Sequence, residues 1–456
     1  MSSNIKPLKI FFFSVDGAGH LNACVGMAQA LAKRGHQIIF LLNDANAGQY
    51  IKFGFEEILL KTPSSITDNQ KQQPKNLIKE FADHLIKSGT LSAKSPVEKL
   101  RDQLKNGKVG DFIKRLYHIL VPQNPLIADA IQQHKPDLVI IDHFLIPPAI
   151  PLSGVPWFFL FSGNPLALYD SEKLPPFGAG FSVDSDPATW QDMQELVKIR
   201  MKLTFVKYQD MINELFNYNP EPTNLLPSMP YFGSPYLNIY GYPEELDYHD
   251  RVPRRAKFIH VDAYIRESSS NDSPFKLPEG FHKSGQKLVY LSLGSMGAVD
   301  VDLIKRITTV LGRTPHKYIV SKGPRADEFE VPSNCWGESY LPQTQILPLV
   351  DLVITHGGNN TITETFSSGK PMIVFPLFAD QYDNAQRVTE KGYGVRLEPY
   401  HFKDEELIKT IDLLMNDKDM IERCKVAAAR IAASRSKELA CEHIEKLIDE
   451  LKQAKK

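Results

Sequence analysis

The stretch Asp351-Leu-Val-Ile-Thr355-His356-Gly357-Gly358-Asn359-Asn360-Thr361 runs from an apolar strand through two glycines into a helix that begins with asparagine and threonine. Free backbone N–H groups at such a helix start, together with polar side chains, suit an anion such as a diphosphate. A similar step occurs near the start of the chain, where Leu8–Ser14 leads through Asp16-Gly-Ala-Gly-His20 to a helical pattern at Asn22–Lys33. Strands that alternate with helices in this way predict a parallel α/β fold.

Both halves of the chain repeat this alternation, which predicts two doubly wound domains. Further strands of the first half are expected at Gln37–Leu42, Asp137–Asp142 and Val155–Phe161. Elements of the second half are expected at Lys287–Leu293, Asp302–Leu311, His316–Ser321, Asp351–Thr355, Asn359–Phe366 and Met372–Phe375. Residues 65–125 are polar, with a helical pattern and little strand character.

The expected domain boundaries follow from these patterns. We predict a Rossmann-like domain over residues 1–245, a linker region over 246–285, a second Rossmann-like domain over 286–433 and a C-terminal helix over 434–456. Apolar residues at helical spacing along Ser436–Lys452 fit packing on the second domain or crossing to the first. Periodicity alone does not choose between these two arrangements.

The composition of the 456-residue chain excludes several classes of protein. Its 53 Lys and Arg oppose 54 Asp and Glu, so no broad basic field is available for nucleic acid or an anionic membrane. No apolar run approaches the ~18–20 residues of a membrane span, and no signal peptide is recognised, so a soluble cytoplasmic protein without a membrane anchor is expected. A monomer is favoured. Reduced, mostly buried thiols are expected at Cys24, Cys335, Cys424 and Cys441 because they lie far apart.

A histidine and an aspartate at strand ends form a candidate catalytic pair. His20 follows the first strand and Asp142 ends the strand Val139–Asp142, and ligands of open α/β sheets bind at this edge. If the strands are neighbours, Asp142 can orient one ring nitrogen of His20 and leave the other to take a proton from a substrate hydroxyl. The alternative is that His20 caps a helix and Asp142 caps a loop, and the sequence does not prove their contact.

Two other motifs are weaker. Gly17-Ala-Gly19 begins a dinucleotide fingerprint, but Asn22 stands at its third glycine and no acidic residue directly follows the second strand. The stretches Asp184-Ser-Asp186 and Asp300-Val-Asp302 could hold a divalent metal on a nucleotide diphosphate, yet a loop and a helix start explain them better. We therefore predict no metal site and no nicotinamide cofactor.

The segment after Cys335 carries the densest group of candidate binding residues. Tyr340 offers a flat face for a base, and Glu364 can accept from a ribose hydroxyl. Asp380 and Gln381 follow another strand and present acceptor and donor groups suited to sugar hydroxyls.

This segment resembles the donor-site signature of the UDP-glycosyltransferase superfamily, the GT-B enzymes of glycosyltransferase family 1. The resemblance is dense over residues 334–398, and Tyr290-Leu-Ser-Leu-Gly294-Ser295 is similar to the family's phosphate-contacting turn. The first half matches only through Gly19-His20 and Ile141-Asp142, in the expected order. The chain looks most like soluble bacterial macrolide-type or invertebrate members. The implied fold is GT-B, with two Rossmann-like domains facing across a cleft.

The resemblance also implies a role for each candidate residue. His20 would be the catalytic base and Asp142 its partner. UDP would be bound by Ser295, Tyr340, Leu341, Gln343, His356, Gly358, Asn360, Thr361 and Glu364. Tyr340 would stack on uracil, Gln343 would lie near the ribose, and Glu364 would bind the ribose hydroxyls. The phosphates would contact Ser295, His356, Asn360 and Thr361. The sugar would be bound by Asp380, Gln381 and Asn359. Asn359 stands where plant members have a sugar-contacting Trp, so the sugar's identity stays open.

The implied reaction is an inverting, metal-independent transfer of a hexose, with glucose favoured, from a UDP-sugar to a hydroxyl of a lipophilic small molecule. The first domain would bind the acceptor and the second the UDP-sugar, with no other cofactor. Flavonoids, other phenols, toxins and macrolides all remain possible acceptors, and detoxification is a possible role. Two alternatives are a nucleotide-sugar epimerase or hydrolase of the same fold and a non-catalytic protein that binds lipophilic ligands. Pocket residues are expected from 65–125, 144–170 and 176–235.

Overall fold

A computed structural model describes residues 6–61, 84–221, 232–268 and 273–454 of the chain. Within these ranges the backbone forms two parallel sheets, one in each half, which confirms the predicted pair of doubly wound domains. Residues 65–83 of the expected helical stretch and residues 222–231 of the expected acceptor region lie outside the described residues.

The strands of the first sheet are β1 (Lys9–Ser14), β2 (Gln37–Leu42), β3 (Glu56–Leu59), β4 (Leu138–Asp142), β5 (Trp157–Phe161), β6 (Leu237–Gly241) and β7 (Phe258–Val261). Their order is β3-β2-β1-β4-β5-β6-β7. The strands of the second sheet are β8 (Leu288–Ser292), β9 (Lys317–Ser321), β10 (Cys335–Glu338), β11 (Leu352–Thr355), β12 (Met372–Val374) and β13 (Gly394–Arg396). Their order is β10-β9-β8-β11-β12-β13. Every neighbouring pair in both sheets is parallel.

Helices connect the strands and pack on the sheets. The first half contains α1 (Ala18–Lys33), α2 (Pro96–Lys105), α3 (Asp111–His134), α4 (Ala149–Leu152), α5 (Gln191–Met201) and α6 (Lys207–Leu215), with a π-helical turn at Lys202–Val206. The second half contains α7 (Gly294–Gly297), α8 (Val301–Leu311), α9 (Gln343–Ile346), α10 (Asn359–Ser367), α11 (Gln381–Glu390), α12 (Asp404–Asn416), α13 (Lys418–Ala433) and α14 (Ser436–Ala454). Single 3₁₀ turns lie at Asp44–Asn46, Ile51–Phe53, Pro165–Leu168, Pro187–Trp190, Glu244–Leu246, Ala326–Glu328 and Leu347–Leu349.

The first strand shows why apolar runs predicted the central strands. Phe11 and Phe13 pack into the core on one face of the sheet, and Ile10 and Phe12 pack into the core on the other. Because both faces are covered, such strands are apolar throughout rather than alternating. Polar residues or glycine interrupt the strands that the pattern missed, which are β3, β6, β7, β10 and β13.

The first sheet extends beyond the predicted domain boundary at residue 245. β7 pairs with β6 through Ile259 and Ile239, so the sheet continues to Val261. The predicted linker at 246–285 therefore contains a strand of the first domain. The boundary was placed too early because His260 breaks the apolar run.

The C-terminal helix α14 crosses to the first domain, which decides between the two packings that periodicity allowed. Its apolar side joins the core that contains α1 and one face of the first sheet. Glu445, whose side chain is 2% exposed, accepts hydrogen bonds from Arg34 at 2.5 and 2.7 Å and lies 2.9 Å from His36 Nε2. All four cysteines are buried free thiols, as predicted.

We predict that Glu445→Gln lowers the free energy of unfolding at pH 7 by about 3 kcal/mol, because it breaks a buried ion pair. Burial raises the pKa of Glu445, but the hydrogen bonds from Arg34 and His36 outweigh it and lower the pKa. A carboxylate with a lowered pKa stabilises the fold above its unfolded pKa and stops doing so as the pH falls through its folded pKa. Urea denaturation at pH 7 and at about pH 4 measures both effects.

Glu442→Gln is the matched control on the same helix, since Glu442 pairs with Arg435 at the surface. Its loss should stay within about 0.5 kcal/mol. The difference between the two variants in the free energy of unfolding should become smaller toward pH 4. Equal losses from both variants would contradict the proposed anchoring of α14.

Candidate functional site

The predicted catalytic pair is assembled at the centre of the first sheet. β1 and β4 are neighbours, and Ser14 at the end of β1 lies beside Asp142 at the end of β4. The chain continues from β1 to β2 on one side of this edge and from β4 to β5 on the other, so the strand order reverses between β1 and β4. Open α/β sheets bind ligands at such a point. His20 Nδ1 lies 3.0 Å from Asp142 Oδ1, so the contact that the sequence left unproved is present. Asp142 is 3% exposed.

A third residue, Ser162, also lies at His20 Nδ1. Its Oγ is 3.0 Å from that nitrogen, immediately after β5. With Nδ1–H donated to Asp142, Nε2 is left unprotonated toward the cleft. Burial lowers the pKa of His20, but the carboxylates of Asp142 and Asp380 outweigh burial and raise it above 6.5. The ring is therefore a stronger base than an ordinary histidine.

Aromatic side chains form a wall beside the base. The ring of Phe144 stands edge-on to His20 with centroids 5.3 Å apart. Phe112 and Phe205 contact Phe144 at 5.7 and 5.9 Å, and all three line the cleft. Phe205 belongs to the π-helical turn, a local change of helix type that recurs at functional sites. These residues lie in the stretches expected to supply the acceptor pocket.

The opposite wall of the cleft begins with the N-terminus of α10. Free N–H groups at this end follow Gly358. The His356 ring lies against Gly294, whose φ of +68° and lack of Cβ permit the contact, since a Cβ there would stand 2.6 Å from the ring. Burial lowers the pKa of His356 to about 4, so the ring is neutral at pH 7 and can donate only a single N–H. Ser295 lies on α7 beside them and lines the same cleft.

The predicted ribose residues contact each other in a polar group. Gln343 Nε2 donates to Glu364 Oε2 at 2.7 Å and to Thr361 Oγ1 at 3.3 Å. Burial raises the pKa of Glu364, with Gln343 and Arg266 acting in the opposite direction. Tyr340 is 74% exposed at the cleft, so its ring is open to a stacking partner. Leu341 has its side chain in the core beneath.

The two residues at the start of α11 that are predicted to bind the sugar already make hydrogen bonds within the protein. Gln381 Oε1 accepts from the backbone N–H groups of Leu377 and Phe378 at 3.0 and 3.2 Å, which leaves its NH₂ group for a ligand. Asp380 Oδ2 accepts from the Asn164 N–H at 3.2 Å. Burial raises the pKa of Asp380 to about 6.

Asn359 and Asn360 bond to the first domain. The Asn359 Nδ2 donates to the Ser162 carbonyl at 2.9 Å, and the Asn360 Nδ2 donates to the Gly19 carbonyl at 2.5 Å. Both residues line the cleft, and Asn359 Oδ1 is buried with no hydrogen-bond partner among the described residues. Their predicted sugar and phosphate contacts therefore remain predictions, while their observed role is to join the domains.

The two D-x-D stretches have other partners. Asp184 pairs with Arg251, and Asp186 caps the turn at Ala188. Asp300 caps α8 and accepts from the Tyr400 hydroxyl at 2.8 Å. The described part of the chain contains no group of three or more His, Cys, Asp or Glu side chains suited to a metal ion.

Sequence reasoning missed Ser162, Asn164 and Arg266. Ser162 follows the predicted strand Val155–Phe161, so the strand-end rule that found Asp142 could have found it too. Arg266 comes from the segment predicted as linker, lines the cleft, and has its Nε buried with no hydrogen-bond partner among the described residues. A loop residue of this kind has no periodicity that would mark it.

The geometry agrees with comparisons to known proteins. The family model of UDP-glucoronosyl and UDP-glucosyl transferase matches residues 247–427. Human UDP-glucuronosyltransferase 1A1 is 25% identical over 436 residues, covering 91% of this chain and 77% of that protein. The NDP-glycosyltransferase YjiC of Bacillus licheniformis is 22% identical over 443 residues, covering 96% of each. The solved structure of the glycotransferase of kitacinnamycin has a TM-score of 0.67 at 18% identity, covering 97% of this chain and 99% of that one.

The two facing sheets and these matches define a glycosyltransferase of the GT-B fold. These matches support the resemblance to the UDP-glycosyltransferase superfamily, glycosyltransferase family 1. In the ranges that the structure describes, no helix is long and apolar enough to cross a membrane.

Proposed function

We propose that the protein transfers a hexose, with glucose favoured, from a UDP-sugar to a hydroxyl of a lipophilic small molecule such as a flavonoid, another phenol or a xenobiotic. The observation that carries the proposal is the position of His20. Asp142 holds its Nδ1, and its Nε2 is left toward a cleft between an aromatic wall and Asp380. A base in this place suits the deprotonation of a hydroxyl on an apolar acceptor.

The proposed reaction is a single displacement with inversion. The acceptor hydroxyl gives its proton to His20 Nε2 while its oxygen bonds to the anomeric carbon. The bond from that carbon to the diphosphate breaks, and UDP leaves with the electron pair. The N–H groups at the start of α10 and the neutral His356 ring would stabilise the charge that UDP gains. Asp142 and Asp380 would stabilise the imidazolium.

Two rival functions fit these features less well. An epimerase or hydrolase of the same fold does not require an aromatic wall for an acceptor beside its base. A non-catalytic protein that binds lipophilic ligands does not require a histidine whose tautomer is fixed by a buried carboxylate 3.0 Å away. UDP release from UDP-glucose, measured with and without a panel of phenols, separates these functions, because transfer alone requires the acceptor.

We predict that His20→Ala lowers kcat by about 10²–10⁴-fold, since general-base catalysis contributes that much. Asp142→Asn should lower kcat less, because the His20 ring remains and only the carboxylate charge that orients it is removed. Activity of the wild type should rise with pH through a pKa above 6.5, since the base must be unprotonated and its pKa is raised. Initial rates on an aliphatic alcohol against pH measure these effects.

The affinity for UDP, measured by calorimetry, is the control for both variants. It should change by no more than a few-fold, because the predicted UDP contacts lie in the second domain. The rate loss should be smaller with an acidic phenol, which ionises partly without help. Wild-type turnover of the aliphatic alcohol by His20→Ala would disprove the assignment of the base.

Arg266 should bind the diphosphate. The predicted phosphate contacts Ser295, His356, Asn360 and Thr361 are all uncharged at pH 7, since the pKa of His356 is about 4. Arg266 lies near enough to Glu364 to lower the pKa of that carboxyl. We predict that Arg266→Met weakens UDP binding by about 10–150-fold, the range for a hydrogen bond to a charged group.

Uridine is the matched ligand, because it carries the base and ribose without phosphates, and its affinity should not change in Arg266→Met. Lys276→Met, which removes an exposed cation from the same connecting segment, is the matched variant. Calorimetry with both ligands and both variants tests the prediction. If Arg266→Met lost affinity for UDP and uridine equally, Arg266 would instead contact the nucleoside or stabilise the fold.

We further predict full activity after exhaustive treatment with EDTA. The helix N-terminus supplies fixed positive potential to the leaving diphosphate, and the carboxylates of Asp184, Asp186 and Asp300 are engaged elsewhere. Turnover before and after chelation, with and without added Mg²⁺ or Mn²⁺, is the measurement. A loss that either metal restores would reject the metal-independent mechanism.

A further inference from the structure

Arg200 presents an unused guanidinium group to the cleft. It lies in the last turn of α5 and lines the cleft, and its Nε is buried with no hydrogen-bond partner in the described part of the chain. Within the described ranges neither terminal nitrogen has a hydrogen bond or an ion pair. Arg387, buried nearby between the domains, instead donates to the Leu246 and Asp247 carbonyls and to Asp250. Arg200 thus differs from Arg387, whose guanidinium is hydrogen-bonded within the protein.

The position of Arg200 is between the two substrate regions. Its terminal nitrogens lie 4.0 Å from where a Cβ on Gly178 would stand, and the carbonyl oxygen of Ala379 lies 3.9 Å from that same point. Ala379 directly precedes the predicted sugar residue Asp380. Along the helix, Thr204 donates to the Arg200 backbone carbonyl at 2.7 Å, and Phe205 of the acceptor wall follows directly. Arg200 therefore lines the cleft beside the loop that precedes Asp380 and in the helical turn before the acceptor wall.

No carboxylate of the described chain neutralises this charge. Asp383 attracts Arg200, but its oxygens accept from the N–H groups of Gly178 and Gly180 at 2.7 and 2.9 Å. Burial raises the pKa of Asp383 to about 7, so it is only partly ionised near neutral pH. Burial lowers the pKa of Arg200 to about 10, which still leaves the side chain charged.

Lys99, a buried cation that also lines the cleft, makes hydrogen bonds within the protein. Its Nζ donates to the Leu377 carbonyl at 3.0 Å and to the Tyr382 hydroxyl at 2.7 Å. Leaving the buried Nε of Arg200 unpaired costs free energy that a bound anion would recover. A planar carboxylate matches the fork of N–H donors that a guanidinium offers.

We propose that Arg200 binds a carboxylate carried by one of the two substrates. The inference rests on the proposed transfer reaction and extends it to the class of substrate. The carboxylate belongs either to an acidic acceptor, which fits a glucose donor, or to the sugar of a uronic acid donor. A carboxylate from either source would pair with the guanidinium in the same way. Matched pairs of substrates distinguish the two sources.

The test compares selectivity between a carboxylate and its neutral match. The acceptor pair is 4-hydroxybenzoate and 4-hydroxybenzamide, and the donor pair is UDP-glucuronate and UDP-glucose. For each pair the ratio of kcat/KM, and separately the ratio of calorimetric affinities, is measured in the wild type, Arg200→Met and the control Lys202→Met. Lys202 is an exposed cation two residues further along the same helical segment.

Arg200→Met should lower one carboxylate ratio by about 10–150-fold, the range for a hydrogen bond to a charged group. Lys202→Met should leave both ratios unchanged. A change confined to the acceptor pair assigns an acidic acceptor, and one confined to the donor pair assigns a uronic acid sugar. Unchanged ratios, or equal changes in Lys202→Met, would overturn the proposal. If the wild type turned over no combination, the proposed function would fail, while the affinity ratios would still decide the role of Arg200.

Discussion

The cleft depends on the attachment of one short segment, Ser162–Asn164, to the second domain. Asn359 donates to the Ser162 carbonyl at 2.9 Å, and Asn164 donates to Asn384 Oδ1 at 2.7 Å. The Asn164 N–H also bonds to Asp380. These bonds are largely buried, where an unmade hydrogen bond is expensive, so they favour one relative position of the domains. That position brings the base and the sugar residues to the same cleft.

The same contact couples the chemistry of the two domains. Asp380 lies in the second domain yet raises the pKa of His20 in the first, and His20 in turn acts to lower the pKa of Asp380. Ser162 links the two by a second route, since its hydroxyl lies at His20 and its carbonyl accepts from Asn359. The strength of the base is therefore a property of the assembled cleft rather than of the first domain alone.

The sequence predicted those parts of the site that follow from regular structure. His20 and Asp142 could be proposed as a pair because strand ends of a parallel sheet share an edge, while the structure supplied the condition that β1 and β4 are neighbours. Residues whose roles come from packing between distant loops were not found, as with Arg200 and Arg266. Asn359 shows the same limit, because its position in the motif was recognised while its bond to the other domain depends on how the halves meet.

The orientation of His20 also depends on how α1 is held along its length. At its start, the Gly19 carbonyl accepts from Asn360 of the second domain. Near its middle, a Cβ on Gly26 would stand 1.9 Å from the Tyr264 carbonyl oxygen, so only glycine permits the segment after β7 to pack this closely. Just beyond its end, Arg34 bonds to Glu445 of the C-terminal helix. Segments distant in the sequence thus fix α1 at three points, and His20 in its first turn takes its direction from all of them.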